Sequence, residues 1–222
     1  MQRKRLWTIA PLAIAVNLAI AAAPAFACSA GKIIFEDKFQ TLDPTWGRKA
    51  GDKTFYVDAG TVVFLPPADY TAWALSQSDY YGDSNLCTQI NFIETADPNT
   101  TTAGVVFWGA DDANFYSFSI SSLGTFAVQR QTNSKWLTPM SWTQTPALKQ
   151  GLNQWNEVEV QTRGNRMTLL INGTQVAQLN GTAPDGGGLV GLVASSPQQS
   201  SATVRFRGFE IVAPAALFKP PK

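Results

Sequence analysis

The chain has 222 residues, 17 basic against 16 acidic for a formal charge of +1, 45% hydrophobic and 11% aromatic residues, and no histidine at all. A near-neutral chain without a basic run or a Lys/Arg stripe lacks the electrostatic footprint of a nucleic-acid binder, so no nucleic-acid partner is expected. The missing histidine excludes Ser-His-Asp and Cys-His nucleophilic catalysis, histidine zinc sites and the commonest neutral-pH general base.

At the start of the chain, Arg3, Lys4 and Arg5 form a basic head before an apolar run from Leu6 to about Ala23, which contains Pro11 and Asn17 and leads to Ala25-Phe26-Ala27. Small residues three and one positions before a break suit a signal peptidase, so residues 1–27 read as a removable export signal cut between Ala27 and Cys28. A membrane-spanning helix wants roughly 20 mostly apolar residues. This run is shorter, and no later segment is apolar enough to cross, so no transmembrane segment is expected once the signal is gone. Its removal takes three basic residues and no acidic one, leaving a formal charge of −2. The expected destination is the periplasm or the cell exterior.

Only two cysteines exist, Cys28 and Cys87, and an oxidising compartment favours their pairing. The competing fate is lipoprotein processing, with Cys28 as the acylated first residue. Ala25 and Phe26 stand where lipoprotein signals usually have Leu and a small residue, and acylation would strand Cys87.

From Cys28 to Ala213, short runs of Val, Ile, Thr, Phe and Tyr are separated by Gly, Asn, Asp and Pro roughly every eight to twelve residues, which predicts strands throughout and no helix. The expected strands are Ile33 to Phe39, Thr54 to Val57, Thr61 to Leu65, Thr71 to Ser78, Leu86 to Glu94, Ala103 to Trp108, Phe115 to Ser121, Thr125 to Gln131, Lys135 to Trp142, Trp155 to Gln161, Arg166 to Ile171, Thr174 to Leu179, Gly188 to Ala194 and Ala202 to Val212. In the seventh, Tyr116, Phe118 and Ile120 share one face while Phe115, Ser117 and Ser119 share the other. Asn172-Gly173 is the strongest hairpin signal, because both residues tolerate the positive φ of a type I′ turn. So many short strands imply a two-sheet antiparallel sandwich or a barrel. Residues 214–222 read as a Pro-rich tail.

Several motifs together carry a resemblance. Phe35-x-Asp37-x-Phe39, Trp46, Val57-Asp58-x-Gly60, Ala103-Gly104-Val105-Val106-Phe107 and Asn114-Phe115-Tyr116-x-Phe118-x-Ile120 fill the first half. Trp155-Asn156-x-Val158-x-Val160, the Asn172-Gly173 turn, Gly188 to Leu192 and a closing Val204-x-Phe206-x-x-Phe209-x-Ile211 fill the second. This order resembles the concanavalin A-like lectin/glucanase superfamily, and more narrowly is similar to secreted bacterial domains of the 3-keto-disaccharide hydrolase family. The resemblance implies an all-β jelly-roll sandwich, with first and last strands side by side and a concave sheet of the kind that commonly holds sugars. Its motifs are mostly structural and speak for fold more than for activity.

Three chemistries remain open. Sugar binding needs exposed aromatic rings and planar polar groups. If Val105 and Phe107 face the core, Trp108 points the other way, beside Phe115, with Arg130, Trp136 and Trp142 supplied by the following strands. The expected partner is then a glycan or oligosaccharide, held without catalysis. Glycoside hydrolysis of a disaccharide or 3-keto-glycoside is the alternative. Its natural carboxylates are Glu157 and Glu159, on one face of a strand with Trp155, although Asn156-Glu157-Val158-Glu159-Val160 departs from the Glu-x-Asp-x-Glu strand of the laminarinase-type relatives. Calcium is the third possibility and one that the resemblance implies, since superfamily members often hold an ion with loop carboxylates and carbonyls; the candidate oxygen donors are Asp111-Asp112 with Asn114, or Asp37 near the first strand. The competing role for these side chains is to hydrogen-bond their own turns. No phosphate loop or dinucleotide fingerprint is present, so no organic cofactor is expected.

Overall fold

A computed structural model describes residues 28, 29 and 31–214. The expected export signal lies outside the described residues, as does the expected tail apart from Pro214, which ends the last strand. Fourteen strands follow one another: β1 (Gly31–Asp37), β2 (Phe55–Asp58), β3 (Thr61–Phe64), β4 (Thr71–Tyr81), β5 (Asn85–Glu94), β6 (Thr102–Asp111), β7 (Asn114–Ser121), β8 (Thr125–Thr132), β9 (Lys135–Gln144), β10 (Asn156–Arg163), β11 (Arg166–Ile171), β12 (Thr174–Asn180), β13 (Gly188–Ser195) and β14 (Thr203–Pro214). Each matches an expected strand, with ends that differ by at most three residues. The only helical element among the described residues is a single 3-10 turn at Pro44–Trp46.

The strands form two antiparallel sheets. One has eight strands in the order β12-β11-β10-β5-β14-β3-β2, with β1 also paired to β14; the other has six in the order β4-β13-β6-β7-β8-β9. Strand β14 is long enough to pair with β5 along one side while its other side serves β3 at Val204–Phe206 and β1 from Phe209 to Pro214. First and last strands therefore lie side by side, as the motif order implies. The Asn172-Gly173 turn joins β11 to β12 with φ of 49° and 76°, both left-handed, which is the type I′ requirement.

The core lies between the sheets and takes the inward-pointing half of each strand. Tyr116, Phe118 and Ile120 of β7 enter it, as do Val158 and Val160 of β10 and Leu169 and Ile171 of β11. At one end Trp46 is the hub of an aromatic cluster, with ring centroids 5.1 Å from Phe209, 5.8 Å from Phe55 and 5.9 Å from Phe39. A buried tryptophan needs a partner for its N–H, and Asp37 supplies it. The Trp46 indole donates to Asp37 Oδ2 and the Phe39 amide to Oδ1, both at 2.7 Å.

Burial pushes the Asp37 carboxyl above its ordinary range against the pull of those two bonds. Both oxygens serve the core, so Asp37 acts as a structural anchor. Asp37→Asn keeps the shape but replaces one acceptor with a donor, leaving one buried N–H unpaired. The expected loss in urea unfolding is about 1–3 kcal/mol.

Candidate functional site

The outward face of the six-stranded sheet is unusual because its centre is shielded from water. Val106 and Ser117, which point away from the inter-sheet core, are 0% exposed, and Phe115 is 1% exposed. Curvature explains this. Strands β4 and β9 are the two edges of the sheet, which in a flat sheet would stand about 24 Å apart at ~4.8 Å per strand. Yet the ring centroids of Trp73 on β4 and Trp136 on β9 are only 6.3 Å apart. Both rings also meet Phe115 of β7, at 5.2 and 5.7 Å. The sheet curls until side chains from its opposite edges meet over its middle.

The register assigns the rest of this concave face. Ser117 lies between Val106 of β6 and Gln129 of β8, and Phe115 is opposite Gln131. Val193 of β13 pairs with Trp73, and Ser195 pairs with both Thr71 and Thr102. Beside the aromatic bridge, Ser117 Oγ and Gln131 Oε1 are buried without a hydrogen-bond partner among the described residues. Buried polar atoms are nearly always paired, and these two orphans fall on the same face. Towards the other end of the face lies a groove of about 360 Å³ lined by Tyr70, Asn99, Thr102, Gln129, Trp142 and Ser195. Tyr70 and Trp142 are 53% and 40% exposed, so two rings stand free beside amides and hydroxyls.

Of the aromatic residues expected to bind, Phe115, Trp136 and Trp142 fall on this face, whereas Trp108 does not. Trp108 has a φ of 50° inside an irregular stretch of β6, where the pairing with β7 jumps from Phe107 to Asp111. The irregularity sends Phe107 and Trp108 to the same side, so both join the inter-sheet core and Trp108 is 6% exposed. Simple alternation fails there. Arg130 also leaves the concave face, because its neighbours Gln129 and Gln131 occupy it. Its guanidinium sits 4.9 Å from the ring centre of Tyr116, beside a small cavity of about 190 Å³ at the sheet's end that Trp108 and Pro184 also line. Trp73 is the residue that the sequence left unplaced. Its position on the alternating Thr71-x-Trp73-x-Leu75 run was visible, but not its meeting with Phe115.

Glu157 and Glu159 lie on β10 of the opposite sheet, on its outer face, because Val158 and Val160 take the inward positions. They are remote from the aromatic bridge and flank no cleft with it. Glu159 is 3% exposed and accepts from Ser29 Oγ at 2.8 Å and from Gln161 Nε2 at 2.9 Å. Trp155, the ring expected beside them, is covered by the Arg207 guanidinium at 4.5 Å. The two carboxylates expected as a catalytic pair thus belong to the outer layer of the other sheet, apart from the aromatic bridge.

Burial pushes the Glu157 carboxyl above its ordinary 4.5, helped by the charges of Glu159 and Glu210. A carboxyl raised in this way binds more protons folded than unfolded. Its burden is absent below pH 4.5 and grows as pH rises through the folded value. Glu157→Gln should therefore melt above the native protein at pH 7, with the gap closing as pH falls below about 4.5, in a thermal series across that range.

Asp111 accepts from Ala113 N at 2.7 Å and from Asn114 Nδ2 at 2.8 Å, which holds its carboxyl below the usual range. Asn114 Oδ1 in turn accepts from Asn133 N at 3.0 Å, while Asp112 is exposed. Asp111 and Asn114 are engaged in building the β6–β7 turn and bracing the β8–β9 turn. Among the described residues, the one grouping of three ligand-type side chains is Cys28, Cys87 and Glu210, and both sulfurs there are joined in a disulfide with Cα atoms 5.6 Å apart. The expected pairing of Cys28 with Cys87 is thus present, and a disulfide sulfur is not available for a thioether lipid.

Residues 33–212 match the model of a family described as the 3-keto-α-glucoside-1,2-lyase-like domain. No curated protein matches this sequence. Among solved structures, the chain is similar to a Bacillus licheniformis β-glucanase, with TM-score 0.61, 8% identity, and coverage of 84% of this chain and 100% of that one. It is also similar to the carbohydrate-binding module CBM66 of Bacillus subtilis, with TM-score 0.56, 15% identity, and coverage of 69% and 86%. The catalytic domain of a Thermotoga petrophila laminarinase aligns with TM-score 0.59 and 6% identity over 84% of this chain and 99% of its own. At such identities the likeness is one of fold: a concanavalin A-like jelly-roll sandwich.

Proposed function

This chain belongs to the 3-keto-α-glucoside-1,2-lyase-like family, and from that membership and the geometry of its concave sheet we propose that it is an exported carbohydrate-binding domain. The observation that carries this reading is the bridge of Trp73, Phe115 and Trp136 across the concave face, beside the unpaired Ser117 Oγ and Gln131 Oε1. Sugar rings present flat C–H faces and a rim of hydroxyls. Stacking on aromatic rings and hydrogen bonding to fixed amides and hydroxyls is the complementary chemistry. The open groove between Tyr70 and Trp142 extends the site beyond a single ring, which favours an oligosaccharide over a monosaccharide.

Hydrolysis by paired carboxylates finds no support on this face. The mechanism needs two carboxyl groups roughly 5–9.5 Å apart across the scissile bond. The six strands of the concave sheet carry only Asp79 and Asp111, both exposed and near strand ends. Asp69 stands at the rim of the Tyr70–Trp142 groove without a second acid among its lining residues. Turnover of a 3-keto-glycoside is the second reading, and family membership is what favours it. Export to the periplasm or cell exterior accords with the disulfide, which persists in oxidising compartments.

The test is a glycan array probed with the exported protein, alongside incubation of the retained sugars and of 3-keto-glycosides with product analysis. The expected result is retention of at least one oligosaccharide with no new product. Product formation abolished by a concave-face substitution would replace the binding reading with an enzymatic one. No retention and no product would overturn both.

A further inference from the structure

On the sheet opposite the concave face, the first described residues rest in a cradle of carboxylates. We propose that this cradle receives the free amino terminus created when the export signal is cut after Ala27, turning the Cys28 amide into an ammonium paired with Glu210. The inference is independent of the glycan-binding reading.

The cradle is specific and buried. Cys28 N donates to Glu210 Oε2 at 3.2 Å, and Ser29 N donates to Glu159 Oε2 at 3.3 Å. Gln161 Nε2 braces the second contact by donating to Ser29 Oγ at 3.1 Å, while Asn85 Nδ2 donates to Ser29 O at 3.3 Å. Cys28, Glu210 and Glu159 are 8%, 6% and 3% exposed. In the register Cys87 stands between Glu159 on one neighbouring strand and Glu210 on the other. The disulfide from Cys87 therefore holds residue 28 at the middle of the carboxylate row. Glu36 continues the row beyond Glu210, and Glu157 lies one turn of alternation from Glu159.

A buried carboxylate is costly unless a cation or several donors compensate it. Three of the basic groups near this row have partners of their own. Lys38 pairs with Glu36 at 3.1 Å, Arg207 binds Gln89 and covers Trp155, and Arg163 binds Asn85 Oδ1 at 2.8 Å. A peptide N–H offers Glu210 one neutral donor. An α-amino group, with its ordinary pKa of about 7.7–8.0, offers a full positive charge at neutral pH in the same place. The acceptor is ionised in both cases, so the ammonium adds a charge–charge attraction to a bond that is already charge-assisted. Processing at Cys28 thus adds a positive charge directly at Glu210, and the domain reaches its full stability only after the signal has been removed.

The experiment expresses the full chain with its own leader, recovers the exported protein, and crosses two changes: two residues inserted between Ala27 and Cys28, and Glu210→Gln. Intact mass should place the first residue at Cys28 with an unmodified amine. The insertion should lower the melting temperature by about 3 °C or more in the native background, and by clearly less in Glu210→Gln. An equal loss in both backgrounds, an acylated amine, or a mature chain that starts elsewhere would overturn the proposal. Should Glu210→Gln fail to fold, labelling of the α-amine at neutral pH decides. It should be at least tenfold slower in the folded native protein than in urea, and equal rates would overturn the pairing.

Discussion

Replacing Cys28 and Cys87 together by alanine should lower the unfolding free energy by roughly 3–5 kcal/mol, from loop-closure entropy alone. The bridge spans 59 residues of sequence and ties the first described residue to the middle of the eight-stranded sheet. Without it, the unfolded chain regains the freedom of that loop. The folded chain also loses the clamp that keeps Cys28 N and Ser29 N on Glu210 and Glu159, so two buried carboxylates lose donors as well. For a domain of this size the change corresponds to a fall in melting temperature of about 10 °C. Guanidinium unfolding of the native protein with and without reductant, beside the double variant, measures it. A loss below about 1 kcal/mol would mean that the β1 pairing with β14 holds the amino-terminal edge unaided.

Trp136→Ala and Trp73→Ala should each weaken oligosaccharide binding at least tenfold, about 1.4 kcal/mol, while leaving the fold intact. Trp136 is 39% exposed and sits on the edge strand β9, so its removal opens no core cavity. Its ring is one side of the three-ring bridge. Losing it removes a stacking surface from the middle of the concave face. Trp108→Ala provides the contrast. Trp108 packs at 5.4 Å from Phe107 and 5.5 Å from Tyr116 in the inter-sheet core, so its truncation should cost about 3–5 kcal/mol of stability. At temperatures where that variant stays folded, its affinity should be close to native. Isothermal titration with an array-selected oligosaccharide separates the two behaviours.

The strands and their facing were legible because alternation and turn chemistry are local. Tyr116, Phe118 and Ile120 enter the core as their spacing requires, and Asn172-Gly173 turns where two positive φ values are needed. The concanavalin A-like order, with β1 beside β14, was carried by motifs spread along the chain. What was not legible depends on contacts distant in sequence. Trp73 and Phe115 meet across two intervening strands, β13 and β6, because the sheet curls. Trp108 was expected on the concave face because period-two counting assumes a regular strand, and the irregularity after Phe107 breaks the count. Close approaches by Gly181 and Gly188 accommodate the displaced residue, since a Cβ on either would lie 2.7 Å from a Trp108 atom. Glu157 and Glu159 share a face as their spacing implies, but spacing does not say which sheet β10 joins. It joins β5 and β11, on the far side from the aromatic bridge.

The central claim is that sugar is held on the concave sheet by rings from its two edges. It is tested most directly by titrating an array-selected oligosaccharide into isotopically labelled protein and following the indole and backbone resonances. The prediction is that the indole N–H signals of Trp73, Trp136 and Trp142 and the amides around Ser117 and Gln131 shift together, while those of Trp155, Glu157 and Glu159 stay in place. Shifts confined to the Glu157–Glu159 sheet, with the concave-face indoles unmoved, would contradict it.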